Sequence, residues 1–167
     1  QITDVIVHDI FSPPVPSRIY AYSTVAAYEA IIHQDSSYVS LAGQLNGLSE
    51  TPKPEPGLEY CFPISSMQAM FKVGRTLTFS ENKMDEYYAG LMQELEAVNV
   101  PDDIFNRSIE YGNKVADHIL AWSSGDNYKQ SRSFPKYSIS NDAATWKPTP
   151  PAYMDGVEPH WNKIRTF

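Results

Sequence analysis

Apolar residues recur at helical spacing through most of the first 125 residues of the chain. Repeats at three, four and seven positions put apolar side chains on one face of a helix, and no strand-like alternation of convincing length interrupts them. The pattern predicts five helices, separated by Pro, Gly or polar turns. Their predicted ranges are Ile2–Phe11, Ser17–Asp35, Phe62–Ser80, Ser80–Val100 and Asp102–Gly125. The predicted fold class is therefore all-α, a helical bundle.

The second predicted helix carries a stripe of small residues. Ser23, Ala26, Ala27 and Ala30 recur at spacings of three and four, and small side chains let a neighbouring helix come close. Glu29 lies on the same helix among apolar residues, and a buried carboxylate must be paired or neutral. We interpret Glu29 either as a partner of a neighbouring helix or as a carboxylate that orients a catalytic base.

Two segments lack a helical period. Residues Leu41–Tyr60 hold three Gly and three Pro, which predicts a long loop. From Asp126 onward, aromatic and turn-forming residues replace the periodic apolar ones. We therefore divide the chain into a helical scaffold, residues 1–125, and an extended Pro- and Trp-rich strap, residues 126–167.

Composition narrows the classes of partner. The chain has 13 Lys and Arg against 20 Asp and Glu, with a net charge of -7 and no basic run. Neutralised phosphates supply much of the affinity for nucleic acid, so this balance argues against a nucleic-acid partner. Cys61 is the single cysteine, which excludes an intrachain disulfide. No apolar run approaches the ~20 residues that a transmembrane helix needs.

Common catalytic motifs are absent from the sequence, among them the phosphate-binding GxxxxGKS/T and GxGxxG patterns and the HExxH, CxxC and GxSxG patterns. No His has a second His or a carboxylate at metal-ligand spacing on one helix face, so no metal site is predicted. The densest mixture of chemical groups is VEPHWNKIR, near the end of the strap. We interpret His160, Lys163 and Arg165 there either as packing residues or as the wall of a pocket for an anion or substrate.

The two ends of the chain carry a specific resemblance. The segment SPPVPSRIYAYSTVAAYEA near the start and WKPTPPAYMDGVEPHWNKIRTF at the end resemble the N-terminal half of bacterial proteins related to vanadium-dependent haloperoxidases. Those proteins fall in the type 2 phosphatidic acid phosphatase (PAP2) superfamily. The middle of the chain is similar to them only as amphipathic helices with a long loop.

The resemblance implies a helical enzyme that works on a bound oxyanion. Vanadate would serve the oxidation of halide by peroxide, and phosphate would be bound in the hydrolysis of phosphate esters; the two alternatives stay open. The family surrounds its oxyanion with Lys-x6-Arg-Pro, Pro-Ser-Gly-His and Arg-x5-6-His motifs. None of these occurs here, so no catalytic residue is carried over. The resemblance implies a scaffold half, inactive alone, whose partner is a catalytic half that follows Phe167 on the same or a cleaved chain.

This first hypothesis predicts a large exposed apolar surface on the second and fifth helices, for the catalytic half to cover. A second hypothesis is a self-contained helical binding module, which uses the aromatic strap to hold a peptide or glycan. A third is an unrelated helical enzyme with Glu29 or His160 as acid or base. The start at Gln1 and the resemblance lead us to expect an exported protein of the periplasm or cell envelope. A homo-oligomer stays open.

Overall fold

The computed structural model describes residues 1–167, apart from the side chain of Glu96. Two short 3-10 helices span Ile32–Gln34 and Trp161–Lys163. The α-helices are α1 (Ile2–His8), α2 (Pro14–Ile31), α3 (Phe62–Leu77), α4 (Glu81–Glu96), α5 (Asp102–Ser124) and α6 (Tyr128–Ser131). No strand occurs among the residues so described. The predicted all-α class is confirmed.

The chain divides into two compact units, Gln1–Ser123 and Ser124–Phe167. The first unit holds α1 to α4, nearly all of α5, and the long loop between α2 and α3. The second unit consists of α6 and mostly extended chain. In the part of the chain that the structure describes, no helix is both long enough and apolar enough to cross a membrane.

The Pro-rich turn after α1 starts α2 earlier than predicted. Pro14 and Pro16 fall in the first turn of α2, where a backbone N–H has no partner inside the helix and its loss costs little. Pro13 occupies the N-cap position, so the predicted start of this helix at Ser17 is wrong. The hydroxyl of Ser17 instead donates to the carbonyl of Pro14 at 2.6 Å, inside the first turn.

The core of the first unit lies where α2, α3 and α5 meet. Tyr22 of α2 and Trp122 of α5 pack edge to face, with ring centroids 4.9 Å apart. Burying side chains of this kind supplies most of the free energy that holds such helices together. The other buried members include Val25, Ala26, Ala30, Ala69, Val73, Val115, Ala116 and Ile119.

The predicted stripe of small residues is the contact between α2 and α3. Ser23 and Ala26 are fully buried. Ser66 of α3 donates to the carbonyl of Ala27 at 2.8 Å, and a Cβ built at Gly74 would lie 3.5 Å from Oγ of Ser23. The small side chains therefore let α3 approach the backbone of α2, as predicted.

The prediction of an exposed apolar surface on α2 and α5 is wrong. None of the large apolar side chains found exposed among the described residues lies on either helix. The reason is that the apolar faces of both helices pack inside the first unit, where Ile19 and Ile119 are almost completely buried. The exposed apolar residues of this unit lie elsewhere, and Val7, Ile10 and Phe79 are among them.

Asp9, just after α1, fixes the start of α4. Its carboxylate accepts hydrogen bonds from the backbone N–H of Phe79 (2.8 Å) and of Ser80 (3.1 Å), and from the hydroxyl of Ser80 (2.5 Å). Ser80 occupies the N-cap position of α4, but its side chain makes no capping bond to that helix. The end of α1 is thereby tied to the turn between α3 and α4.

We expect Asp9→Ala to lower the free energy of unfolding at pH 7 by about 1–2 kcal/mol, the usual cost of losing a capping carboxylate. Burial of Asp9 raises the pKa of its carboxyl, but the hydrogen bonds from Ser80 and Phe79 outweigh burial, and the pKa is below its ordinary value. A carboxyl with a lowered pKa stabilises the fold above its unfolded pKa, and this contribution is lost as pH falls through the folded pKa. The difference between variant and wild type should therefore shrink below about pH 4.

Urea unfolding at pH 7 and at pH 3 measures both effects of Asp9→Ala. Asp4→Ala is the matched control, because Asp4 belongs to the same segment and is exposed. We expect the control to change stability by less than about 0.5 kcal/mol. An Asp9→Ala loss that is equally large at both pH values would contradict the role of the charged carboxylate.

Candidate functional site

Glu29 is completely buried in α2 and faces the loop between α2 and α3. Its carboxylate accepts hydrogen bonds from the backbone N–H of Leu41 (2.6 Å) and from the hydroxyls of Ser40 and Thr51 (both 2.8 Å). All three donors belong to the loop. Glu29 therefore holds the loop against α2 by these bonds, and its role at a catalytic site stays a prediction.

The loop that Glu29 holds is tied to the helices at further points. Leu48 is buried in the core. The indole N–H of Trp122 donates to the carbonyl of Asn46 at 3.1 Å, and the hydroxyl of Tyr28 donates to that of Val39 at 2.9 Å. The segment predicted as a loop is therefore irregular in conformation, as expected. It also packs as a layer against the helices of the first unit.

Tyr111 and His33 lie beside this layer. Burial raises the pKa of Tyr111 far above its ordinary value, and Glu29 and Tyr60 add to the effect. Burial lowers the pKa of His33, although the charge of Glu29 opposes it. Near pH 7 the phenol is therefore protonated and the imidazole neutral. The hydroxyl of Tyr111 donates to the carbonyl of Pro52 at 3.2 Å, and this bond joins the loop to α5.

His160, the candidate in the second unit, packs against Phe134 and Pro135. Its ring meets that of Phe134 edge to face at a centroid distance of 5.2 Å, and its Nε2 lies 2.7 Å from the carbonyl oxygen of Pro135. A carbonyl oxygen only accepts, so Nε2 carries the proton and donates. A His that takes up a proton or binds a metal through Nε2 needs the lone pair of that nitrogen. In this arrangement Nε2 is committed to a backbone bond.

A bidentate ion pair positions the chain just before His160. Both terminal nitrogens of Arg132 donate to the two carboxylate oxygens of Glu158, with Nη1 3.0 Å from Oε1. The same guanidinium lies over the ring of Tyr128, 4.6 Å from its centroid. The hydrogen bond to Glu158 raises the pKa of Arg132. Sequence reasoning missed this pair, because 26 positions separate its members and no local pattern marks it.

Lys163 and Arg165, the other two candidates, take part in the second unit through their backbones. The carbonyl of Lys163 accepts from the side-chain amide of Asn127 at 3.0 Å. The N–H of Arg165 donates to the carbonyl of Asp126 at 2.9 Å. These bonds join the end of the strap to its beginning. The predicted place of both side chains in the wall of an anion pocket stays a prediction.

A hollow of about 300 Å³ opens beside Trp146 in the second unit. The ring of Tyr137 meets that of Trp146 edge to face at 5.6 Å, and the hydroxyl of Tyr137 donates to the carbonyl of Trp146 at 2.8 Å. Tyr153 and Met154 also line the hollow. His160, Lys163 and Arg165 do not line it, so the structure does not bring the sequence candidates to this opening.

Comparison with solved structures gives a match over nearly the whole chain. The chain superposes on a bacterial vanadium-dependent iodoperoxidase with a TM-score of 0.89 and 46% sequence identity. The match covers 98% of this chain and 39% of that one. The chain is a relative of the vanadium-dependent haloperoxidases. No family model and no curated protein matches it.

A haloperoxidase-like chain raises the question of whether its residues fit an oxyanion such as vanadate or phosphate. Such a group needs several fixed positive side chains around its oxygens. In the strap, Arg132 is held by Glu158 and His160 by the carbonyl of Pro135. Among the described residues, no group of three or more His, Cys, Asp or Glu side chains is arranged to hold a metal ion. Arg132 and His160 therefore do not fit an oxyanion site, and we derive no catalytic step through one.

Proposed function

We propose that this chain is the N-terminal scaffold part of a vanadate-dependent haloperoxidase that oxidises halide with hydrogen peroxide. The similarity to the iodoperoxidase carries the proposal: 46% identity extends over 98% of the chain, and the backbones agree at a TM-score of 0.89. Two unrelated helical bundles do not share both sequence and backbone at this level. The same match covers 39% of the longer chain, so the activity is proposed for the whole protein.

In this proposal the first unit supplies a helical scaffold, the second unit supplies an extended strap, and residues that follow Phe167 supply the oxyanion site. The first unit is suited to such a role because two of its carboxylates hold the fold together. Glu29 bonds the long loop, and Asp9 bonds the turn before α4. Vanadate or phosphate would be held in the remaining part of the protein. Export to the periplasm or cell envelope and a homo-oligomer are further parts of this proposal.

The test uses the complete product of the gene, purified and freed of bound phosphate and vanadate. We expect a polypeptide longer than 167 residues, or a second one that co-purifies, by intact mass under denaturing conditions. We expect added vanadate to produce peroxide-dependent oxidation of iodide, measured as triiodide. Excess inorganic phosphate should suppress that activity by competition for one oxyanion pocket. Vanadate-independent hydrolysis of p-nitrophenyl phosphate without iodide oxidation would replace this proposal with a phosphatase.

A binding module is the second candidate, and the hollow beside Trp146 is the observation that favours it. Half-exposed aromatic rings around an opening of about 300 Å³ are suited to hold a peptide or a glycan. A gene product of 167 residues that is monodisperse and inactive with both iodide and phosphate ester would favour this candidate. That result would overturn the haloperoxidase proposal.

A further inference from the structure

A group of apolar side chains is exposed where α1 ends and the turn from α3 to α4 passes. We call the exposed Val7, Ile10 and Phe79, together with the half-buried Phe11, the α1 patch. Val7 is 71% exposed, Ile10 87% and Phe79 75%. The rings of Phe11 and Phe79 pack with centroids 4.6 Å apart, which joins the two segments into one surface. Single exposed apolar residues are ordinary, whereas a contiguous group of them marks a surface that contacts something else.

The α1 patch is held in place by polar bonds beneath it. Asp9, which stands directly before Ile10, accepts hydrogen bonds from the backbone N–H of Phe79 and Ser80. The same carboxylate accepts from the Ser80 hydroxyl. Both halves of the patch are therefore fixed to each other before any partner arrives. A surface fixed in advance loses little conformational freedom on contact, which favours binding.

The backbone of Ile10 closes the end of α1. Ile10 has φ +54, in the left-handed region, which β-branched residues rarely adopt. A Gly would take this conformation without strain. The side chain of Ile10 is almost fully exposed, so packing inside the first unit does not explain why Ile stands there. This conformation ends α1 with a hydrogen bond from the N–H of Phe11 to the carbonyl of Ile6 at 3.4 Å, and it holds Ile10 at the surface beside Phe11.

The size of the solved relative indicates what covers the patch. The match leaves most of the iodoperoxidase chain without a counterpart in residues 1–167. Helices α2 and α5, the faces first expected to receive such further chain, have no large apolar side chain exposed among the described residues. The α1 patch offers an exposed apolar surface instead. We propose that the patch seats an apolar helix face from the part of the same polypeptide that follows Phe167.

This inference rests on the proposed function, since both require chain beyond Phe167. The first test labels a thiol placed in the patch of the full-length protein. Ile10→Cys is compared with Val98→Cys, because Val98 is also exposed (63%) and lies away from the patch in sequence. We expect the thiol at position 10 to react with a maleimide at least about 10-fold more slowly than that at position 98. Peptide mass spectrometry separates both from Cys61.

A second measurement needs no substitution. Hydroxyl-radical footprinting of the unmodified full-length protein compares Phe79 with Tyr38, an aromatic residue that is 59% exposed. We expect Phe79 to be oxidised several-fold less than Tyr38. Equal reaction at Phe79 and Tyr38, together with equal thiol labelling at positions 10 and 98, would overturn the inference. Protection that disappears when the protein is diluted would assign the patch to a second copy of the chain and overturn it as well.

The two proposals fail in different ways. Vanadate-dependent iodide oxidation by a long polypeptide with a freely reactive patch would leave the proposed function standing and remove only the docking inference. An intact mass that corresponds to 167 residues would remove the proposed function, and the docking inference with it. Thiol labelling detects the failure of the docking inference, and intact mass detects the failure of the proposed function, so the two failures can be told apart.

Discussion

Replacing Gly112 by Ala should lower the free energy of unfolding by about 3 kcal/mol or more, because the added methyl has no space. A Cβ at this position would lie 2.5 Å from the carbonyl oxygen of Ser65 and 2.9 Å from Cβ of Gln68. The first of these is backbone of α3, which cannot turn aside as a flexible side chain does. To admit the methyl, α3 and α5 must move apart. Thermal or urea unfolding of the variant measures the loss.

Gly90→Ala is the matched control for the substitution at Gly112. Gly90 also lies inside a helix, α4, but is exposed, and a Cβ there would meet nothing within 4 Å. Ala is the better helix former, so we expect this change to stabilise the protein by about 0.5–1 kcal/mol. The two substitutions are chemically identical and should have opposite signs. A stable Gly112→Ala protein would mean that α3 and α5 are less closely packed than described.

Glu29→Ala should be similarly damaging, at about 3 kcal/mol or more. The substitution removes the acceptor of the Leu41 N–H and of the Ser40 and Thr51 hydroxyls. Thr51 is buried and the other two residues are half-buried, and a buried donor left without a partner costs ~1–3 kcal/mol. The substitution also leaves a cavity in the fully buried site. We expect the loop to detach before the helices unfold. Hydrogen exchange at Leu41 and limited proteolysis within residues 41–60 should report this.

Glu29→Gln separates hydrogen bonding from charge at the same position. Its amide oxygen can still accept from the Leu41 N–H, and the hydroxyls of Ser40 and Thr51 can rotate to accept from its NH₂ group. We therefore expect a loss of only about 1 kcal/mol and a loop that stays protected from exchange. Equal damage from Gln and Ala would show that the negative charge, rather than the three bonds, holds the loop.

The bundle itself could be predicted because helical periodicity is local. The third, fourth and fifth predicted helices agree with α3, α4 and α5 to within a few residues, and Gly125 directly follows the end of α5. Agreement between the predicted and observed helices is poorest around the turn between α1 and α2. The first helix was predicted to reach Phe11, but α1 ends at His8, because Ile10 adopts a left-handed conformation that its side chain does not favour. No rule of composition predicts such a residue.

The candidate site was less accessible to prediction. Glu29 was singled out correctly as a carboxylate among apolar neighbours, and it is completely buried. Its partners could not be named, because the loop residues that bond it have no pattern that marks them as donors. His160 was selected for the chemical richness of its surroundings, and the structure commits its Nε2 to the carbonyl of Pro135. Sequence proximity of reactive groups does not fix where their atoms point.

By itself the sequence determined the fold class, the helix count of the scaffold and the relationship to haloperoxidases. Each of these depends on residues within one helix or one short motif, where a few neighbouring positions carry the signal. Only the tertiary structure decided the bonds of Asp9 to the turn before α4 and the pairing of Arg132 with Glu158. It also decided that Ile10 and Phe79 are exposed, whereas α2 and α5 expose no large apolar side chain among the described residues. The physical reason is that these features join residues far apart in the chain, and their energies arise only once the helices have packed.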